Sequence, residues 1–370
     1  MHFAIGLPNI TDWIALLVAV GSTLYFVCRP NSLNRIAALC TTVGWILLIV
    51  LNQHRLQPWG VQIICFIALA SFCDGRAAVA RMRQLVVSIY IFSGLAKLDF
   101  QFAHTVGQDF LHAGLSLVGL GSAIPDAHTA AWFALLMPTI EILIGLGLCI
   151  TRTRRAALFG ATAMHASLIV LLSPIGLNHQ PGVLLWNCEL LVIAWLLWGF
   201  NLEYETEGPP QSNRLAQSVS MLTLVLALAP ILNTMGLYDH WLAWGLYAPS
   251  NSRVIVLVHE DAISPTWPAA ILRSIDEQPI DYVWRELQLD SWSIESLGTP
   301  LYPEARFQAG VALAVIERLE IDGRFRAQIQ SKSNRFSGRR ETREVSSTTQ
   351  LRQVMQRFKL GSLPREFGDN

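Results

Sequence analysis

The sequence predicts an all-α integral membrane protein, a bundle of about eight transmembrane helices followed by a small extramembrane α+β domain. Three observations predict this class. Of the 370 residues, 52% are hydrophobic. Only 15% are charged, against about 25% in an ordinary soluble domain. The chain also carries twelve tryptophans, and tryptophan is enriched at membrane–water interfaces. We therefore expect the lipid bilayer as a partner, and the net charge of zero gives no indication of nucleic acid.

Eight stretches come close to the 20 or so apolar residues that a transmembrane helix needs. They cover residues 10–28, 34–52, 59–75, 82–99, 130–150, 155–173, 183–200 and 216–236. The third stretch is short, which favours a tilted or re-entrant helix. Residues 103–124 are glycine-rich and moderately apolar, and they predict an interfacial or re-entrant helix between the fourth and fifth spans.

The composition changes after the last span, so we divide the chain into a transmembrane domain, residues 1–240, and a soluble C-terminal domain, residues 241–370. In the second domain, residues 254–258 predict a strand. Residues 309–319 predict a helix, and so does the helical apolar spacing from 351 to 358. We interpret the arginine-rich stretch 331–343 as a solvated loop.

Arginines gather in alternate loops, which predicts the orientation. They follow the first span, surround the start of the fourth and follow the fifth, whereas no lysine or arginine occurs between Lys97 and Arg152. The positive-inside rule then places the odd-numbered loops in the cytoplasm. We expect a multi-pass protein of the cell membrane, with its C-terminal domain in the periplasm or an equivalent extracytoplasmic space. Lys97 would lie near the outer end of the fourth span.

Lys97 is the only lysine in the first 331 residues, and it directly follows an apolar run that ends at Ala96. An ammonium costs about 2.5 to 3.5 kcal/mol at the centre of a membrane helix, and less near its end. Two interpretations stay open. The side chain can extend to the interface, or burial can lower the lysine pKa enough to make the amine a usable base.

Glu141 and His165 lie in the middle of predicted spans. Glu141 is either a protonated carboxyl bonded to a helix carbonyl or the partner of Lys97, and pairing would argue against a catalytic base. His165 is either a hydrogen-bonded core residue or part of a cofactor pocket or proton relay. A polar group surrounds the start of the seventh span, where an interfacial loop needs no function. Its members are Asn178, His179, Asn187 and Glu189. The cysteine and histidine spacings predict no metal site.

The segment Tyr90-Ile-Phe-Ser-Gly-Leu-Ala-Lys-Leu-Asp99 resembles the signature of the vitamin K-dependent gamma-carboxylase family and its bacterial relatives, the HTTM-domain membrane proteins. Glu141 in the next span, His165 in the one after and a following Ser-Pro-Ile-Gly-Leu turn are similar to the family's order of acid, membrane histidine and Ile-Gly turn. The likeness covers roughly residues 10–240. The chain departs from the pattern after the lysine, where family members usually carry a tryptophan and a glycine. Its soluble tail is also much shorter than that of the animal carboxylases.

The resemblance implies a membrane enzyme in which Lys97 is the base that deprotonates reduced vitamin K or another menaquinol-type quinone. Molecular oxygen then adds to the deprotonated quinol, and collapse to an epoxide yields an alkoxide strong enough to take a proton from a weak carbon acid. Carbon dioxide can trap the carbanion that this proton transfer leaves. His165 and Glu141 would act with Lys97 by binding or orienting the quinone oxygens. A protein or peptide would be the carboxylated substrate, and no metal is expected. Residues assigned to the quinone site are Tyr90, Gly94, Asp99, Asn178, His179 and Glu189.

Two other classes of protein remain as alternatives. One is a non-catalytic quinone-binding membrane subunit of the DoxX or MauE type, which has an acid in a span and needs no neutral lysine. The other is a transporter or lipid-binding membrane protein, which inverted repeats and paired broken helices would indicate.

Overall fold

The computed structural model describes residues 10–29, 35–123, 126–200, 214–278, 280 and 283–358. These residues are mostly helical, with one small antiparallel sheet. The first ten helices are α1 (Ile10–Cys28), α2 (Arg35–Leu51), α3 (Pro58–Phe72), α4 (Gly75–Lys97), α5 (Phe100–His104), α6 (Val106–Leu117), α7 (Ala127–Cys149), α8 (Arg154–Leu172), α9 (Pro181–Ala194) and α10 (Arg214–Leu228).

Within the described residues, six helical segments are long and apolar enough to cross a membrane. They are Ile10–Cys28, Gly75–Lys97, Ala127–Cys149, Arg154–Leu172, Pro181–Gly199 and Arg214–Met235. The prediction of a helical membrane protein is confirmed at this level. The other two predicted spans correspond to α2 and α3, which have 17 and 15 residues and fall short of the usual spanning length. The total of eight spans therefore stays a prediction.

Two glycines, one on α4 and one on α7, lie where these membrane helices approach each other closely. A Cβ atom on Gly94 would lie 2.6 Å from Cγ1 of Ile142 and 2.7 Å from the carbonyl oxygen of Pro138. A Cβ atom on Gly145 would lie 3.0 Å from Cβ of Tyr90. Small residues let membrane helices approach closely, so α4 and α7 lie in direct backbone contact along the turns that precede Lys97.

The C-terminal domain is a four-stranded antiparallel sheet with helices packed against it. Its strands are β1 (Arg253–His259), β2 (Trp284–Leu287), β3 (Phe325–Gln330) and β4 (Thr342–Val345), in the order β2-β1-β3-β4. Its helices are α11 (Ala269–Arg273), α12 (Leu289–Leu297), α13 (Ala305–Arg318) and α14 (Thr348–Met355). The core lies between β1 and α13, where Val256, Leu313 and Ile316 are fully buried. The predicted strand and both predicted helices are confirmed.

The domain contacts the end of the bundle where α4 ends. The backbone N–H of Phe100 donates to the carbonyl oxygen of Arg335 at 2.7 Å, and the Gln101 side chain donates to the carbonyl oxygen of Gly338 at 2.9 Å. Residues 331–341 form a loop in which several residues are exposed, as predicted, but the loop also contacts α5, and the last two residues of the predicted stretch belong to β4. At the same end, the ring of His54 bonds the carbonyl oxygen of Pro300 at 2.8 Å.

Candidate functional site

Lys97, the last residue of α4, forms an ion pair with Glu141 of α7. The distance from Nζ to Oε2 is 2.6 Å, and the two side chains are 15% and 13% exposed. The ammonium also donates to Oγ of Ser93, one turn earlier on α4, at 2.9 Å. The sequence left open whether Lys97 extends to the interface, is a neutral base or pairs with Glu141, and in the structure it pairs with Glu141. Lys97 is thus neither an isolated amine in an apolar chamber nor a cation that extends freely to the interface.

A second polar group lies inside the bundle and joins α4, α8 and α9. The hydroxyl of Tyr90 lies 2.8 Å from Nε2 of His165, and Nδ1 of His165 lies 2.9 Å from Oδ1 of Asn187. The Asn187 amide nitrogen donates to the carbonyl oxygen of Val183 at 2.9 Å. All three side chains are buried.

The hydrogen bonds among Tyr90, His165 and Asn187 define where the protons of these side chains lie. A carbonyl oxygen only accepts, so the bond to Val183 requires the nitrogen of the Asn187 amide to face it. The amide oxygen then faces His165 and requires a proton on Nδ1 of the ring. In a neutral imidazole the other nitrogen is an acceptor, so Nε2 accepts from the hydroxyl of Tyr90. The network therefore fixes one tautomer of His165.

The ion pair and the hydrogen-bonded chain are electrostatically linked. The charges of Glu141 and Lys97 both act on the ring of His165, and the charge of Glu141 also acts on the hydroxyl of Tyr90. The three predicted catalytic residues thus lie in two polar groups that interact electrostatically, and Tyr90, one of the predicted quinone contacts, belongs to the second group. The ion pair and the hydrogen-bonded chain are together called the polar cluster below.

Two other residues of the signature have structural roles. Gly94 lies at the close contact between α4 and α7, where a larger residue would separate the two helices. Asp99 is buried and caps α5, where its Oδ1 accepts from the backbone N–H of Phe102 at 2.9 Å. Burial raises the pKa of the Asp99 carboxyl, against smaller opposing contributions from two backbone hydrogen bonds and two arginines.

The polar residues near the start of α9 have partners outside the polar cluster. The ring of His179 bonds the hydroxyl of Tyr247 at 3.0 Å, and burial lowers the pKa of His179. Asn178 adopts a left-handed backbone conformation with φ of 50°. Oε1 of Glu189 accepts from the side chain of Gln62 on α3 at 3.5 Å. The structure thus distributes the predicted quinone contacts over several places in the protein.

Sequence reasoning missed Ser93, and it assigned Asn187 to the polar group at the start of the seventh span rather than to His165. Ser93 belongs to the α4 signature and lies one turn before Lys97, so helical spacing alone could have identified it as a neighbour. Asn187 is an amide within an apolar helix, and such residues need hydrogen-bond partners in the bundle. No group of three or more metal-binding side chains occurs among the described residues.

Comparisons with protein-family models, curated proteins and solved structures each gave no match.

Proposed function

We propose that this chain is a membrane enzyme that oxidises a reduced quinone, and that the Lys97–Glu141 pair accepts the first proton. The observation that carries the proposal is a short, largely buried ion pair whose charges act on the hydrogen-bonded residues Tyr90 and His165. Ionisable residues inside membrane spans are rare and mark proton relays or substrate sites by default.

The pair can accept one proton in either of its two arrangements. When Lys97 is an ammonium, the Glu141 carboxylate is the acceptor. When the proton has moved along the 2.6 Å contact to the carboxylate, the acceptor is the neutral Lys97 amine. In both cases uptake of one proton leaves an ammonium beside a neutral acid, with a net positive charge that stabilises the anion formed by deprotonation.

The chemistry of the polar cluster fits a quinol. It offers the hydroxyl oxygen of Tyr90 and the two ions to two ligand hydroxyls, while the ring of His165 holds Tyr90 in place. With molecular oxygen, a bound quinol would supply the electrons for conversion to an epoxide. The hydroxyl oxygen of Tyr90, held in place by His165, would orient a ligand hydroxyl, and the surrounding apolar helices would exclude water from the site. The resemblance to the vitamin K-dependent carboxylases adds that a carbon acid on a protein or peptide would be carboxylated.

The test is epoxide formation by purified protein in lipid nanodiscs supplied with reduced vitamin K and oxygen. We expect epoxide from the wild type and at least a hundredfold less from Lys97→Ala, because general base catalysis contributes on the order of 10² to 10⁴ in rate. Arg55→Ala, which breaks the ion pair between Arg55 and Asp12, is the control that should retain activity. Absence of epoxide from a folded wild type would contradict the enzyme proposal.

Lys97→Arg separates a base from a structural ion. Arginine keeps a positive charge opposite Glu141 but does not lose its proton in proteins. If Lys97 must become neutral, the variant keeps its thermal stability and loses epoxide formation. If the lysine only balances a charge, both properties are retained.

The second candidate function is a non-catalytic quinone-binding subunit, and the ion pair also favours it. A lysine held at 2.6 Å from a carboxylate already satisfies a buried charge and needs no catalytic role. For this function, the wild type binds a quinone and forms no epoxide, and Glu141→Gln weakens quinone binding.

We further propose that the C-terminal domain is extracytoplasmic. It lies at the end of the bundle that contains the ends of α4 and α10. The opposite ends of α4 and α8 carry Arg76, Arg81, Arg154 and Arg155, and an excess of arginine marks cytoplasmic loops. Labelling of single cysteines introduced at exposed Ser291 and Ser346 of intact cells tests this orientation.

A further inference from the structure

A pocket of about 810 Å³ lies between the bundle and the C-terminal domain. The bundle contributes two parts of its lining. One is Asp99, which follows α4, and the other is residues 234–236 at the end of the last membrane segment. Its other wall is mainly the loop 331–341, called the basic loop below. Because both bundle segments lie at the ends of spans, the pocket is at the depth of the lipid headgroups.

The lining is rich in positive charge. Four cationic side chains line the pocket, namely Lys332, Arg335, Arg339 and Arg340. Asp99 and Glu341 are the acidic residues of the lining. Nearby, Arg253 acts on the charge of Arg340, and Glu304 acts on that of Lys332. The lining thus has an excess of two positive charges, which favours an anionic ligand.

Three buried polar atoms of the lining have no hydrogen-bond partner in the described part of the chain. They are Nε of Arg340, Oγ of Ser333 and Oδ2 of Asp99. A buried polar atom without a partner costs about 1 to 3 kcal/mol, so each such atom in a native structure needs an explanation. Here Nε of Arg340 and Oγ of Ser333 are donors that could bind phosphate oxygens, and the carboxylate oxygen of Asp99 could accept from a ligand hydroxyl.

Burial of Arg340 also suits an anionic ligand. Burial, followed by repulsion from Arg253, lowers the pKa of its guanidinium to about 10. The guanidinium donates to the carbonyl oxygens of Pro249, Asn251 and Ser331 and has no carboxylate partner among the described ion pairs. A bound phosphate would supply the missing negative charge.

Apolar surface continues from the pocket toward the lipid. Met235 lines the pocket and is 73% exposed, and the preceding Ile231 and Leu232 are also exposed. Phe336 of the basic loop is 86% exposed, and exposed aromatic residues at the end of a bundle are typical of the membrane interface. Acyl chains of an anionic lipid bound in the pocket could therefore lie along this apolar surface.

We propose that this pocket binds an anionic phospholipid whose headgroup carries hydroxyls, of the phosphatidylglycerol type. The phosphate lies against the basic loop, and a headgroup hydroxyl donates to Asp99. The lipid fixes the C-terminal domain on the bundle, since the basic loop already contacts α5 through Phe100 and Gln101. This proposal does not depend on quinone chemistry.

The test measures lipid retention by native mass spectrometry of full-length protein released from detergent with added phosphatidylglycerol or phosphatidylcholine. We expect selective retention of phosphatidylglycerol. Arg335→Gln/Arg339→Gln should lower that affinity about tenfold or more, because each basic residue near a lipid surface contributes about 1 kcal/mol. The matched control is Arg343→Gln/Arg357→Gln, two exposed arginines of the same domain outside the pocket, which should retain wild-type affinity.

Ser333→Ala is a second variant that keeps the test valid if the double variant does not fold. Its hydroxyl has no partner, so the fold should tolerate the loss, while affinity should fall about fivefold for one hydrogen bond. Ser346→Ala on the exposed surface is its control. Equal retention of both lipids, or an equal loss in variant and control, would overturn the proposal. Displacement of the lipid by millimolar inorganic phosphate would overturn it too, by showing that the site takes a free anion.

Discussion

Removing one ion of the Lys97–Glu141 pair should cost more stability than removing both. Lys97→Met keeps the length of the side chain and leaves the Glu141 carboxylate without its cation. In Lys97→Met/Glu141→Leu, apolar side chains replace both ions. The comparison therefore separates the attraction between the ions from the cost of burying each of them.

The magnitude follows from the geometry of the pair. At 2.6 Å and an effective dielectric constant of about 20, the attraction between unit charges is on the order of 6 kcal/mol. Desolvation costs several kcal/mol for each ion, so replacing both is often neutral, whereas removing one partner of a buried pair costs about 3 to 5 kcal/mol. Because Lys97 ends its helix and is 15% exposed, we expect about 2 to 3 kcal/mol for Lys97→Met.

The assay is the thermal unfolding midpoint of purified protein in one detergent. A loss of this size lowers the midpoint by about 4 to 10 °C in a domain of this scale. Glu141→Leu should lower it similarly, and the double variant should lie within about 3 °C of the wild type. If the effects of the single variants simply add in the double variant, the two ions are not coupled, and the structural basis of the proposed site is wrong.

Three further predictions concern other contacts. Tyr90→Phe leaves Nε2 of His165 without its donor and should cost about 1 to 3 kcal/mol in unfolding free energy, which the same thermal assay measures. Gly94→Ala should destabilise by about 1 to 3 kcal/mol through overpacking, while Gly60→Ala, where a Cβ meets nothing within 4 Å, should not destabilise. Glu304 has its pKa raised from 4.5 to about 7, mainly by burial. The folded state therefore binds more protons between these values, so stability should fall as pH rises from 4.5 to 7, and Glu304→Gln should remove that part of the pH dependence.

Much of the helical framework could be predicted because apolar length is a local property. The eight predicted stretches lie on eight apolar helices, and the first stretch has the bounds of α1. The pairing of Lys97 with Glu141 was one of the alternatives, because two lone ions in neighbouring spans both need a partner. Sequence alone could not choose between pairing and a free amine, since the choice depends on the rotation of α4 against α7.

The remaining site residues show what a sequence lacks. Asp99 and His179 lie near the same membrane end as Lys97, but their partners are α5 and Tyr247, because the face that each presents is decided by packing. The contacts of the basic loop could not be predicted for a related reason. Its many charges predicted solvent exposure, which several of its residues have. They gave no sign of the hydrogen bonds that its backbone carbonyls accept from Phe100 and Gln101.

The position of the ion pair constrains how the proposed enzyme can work. The end of a helix carries partial negative charge, which favours a cation there, and Lys97 is the last residue of α4. The helix end and Glu141 thus both attract the ammonium, so at rest the carboxylate is the member of the pair that can accept a proton. A neutral amine requires transfer of the lysine proton to that carboxylate before the substrate is deprotonated. Loss of the carboxylate in Glu141→Gln should therefore reduce epoxide formation as strongly as loss of the amine in Lys97→Ala. Activity that survives Glu141→Gln but not Lys97→Ala would show that the amine loses its proton by another route.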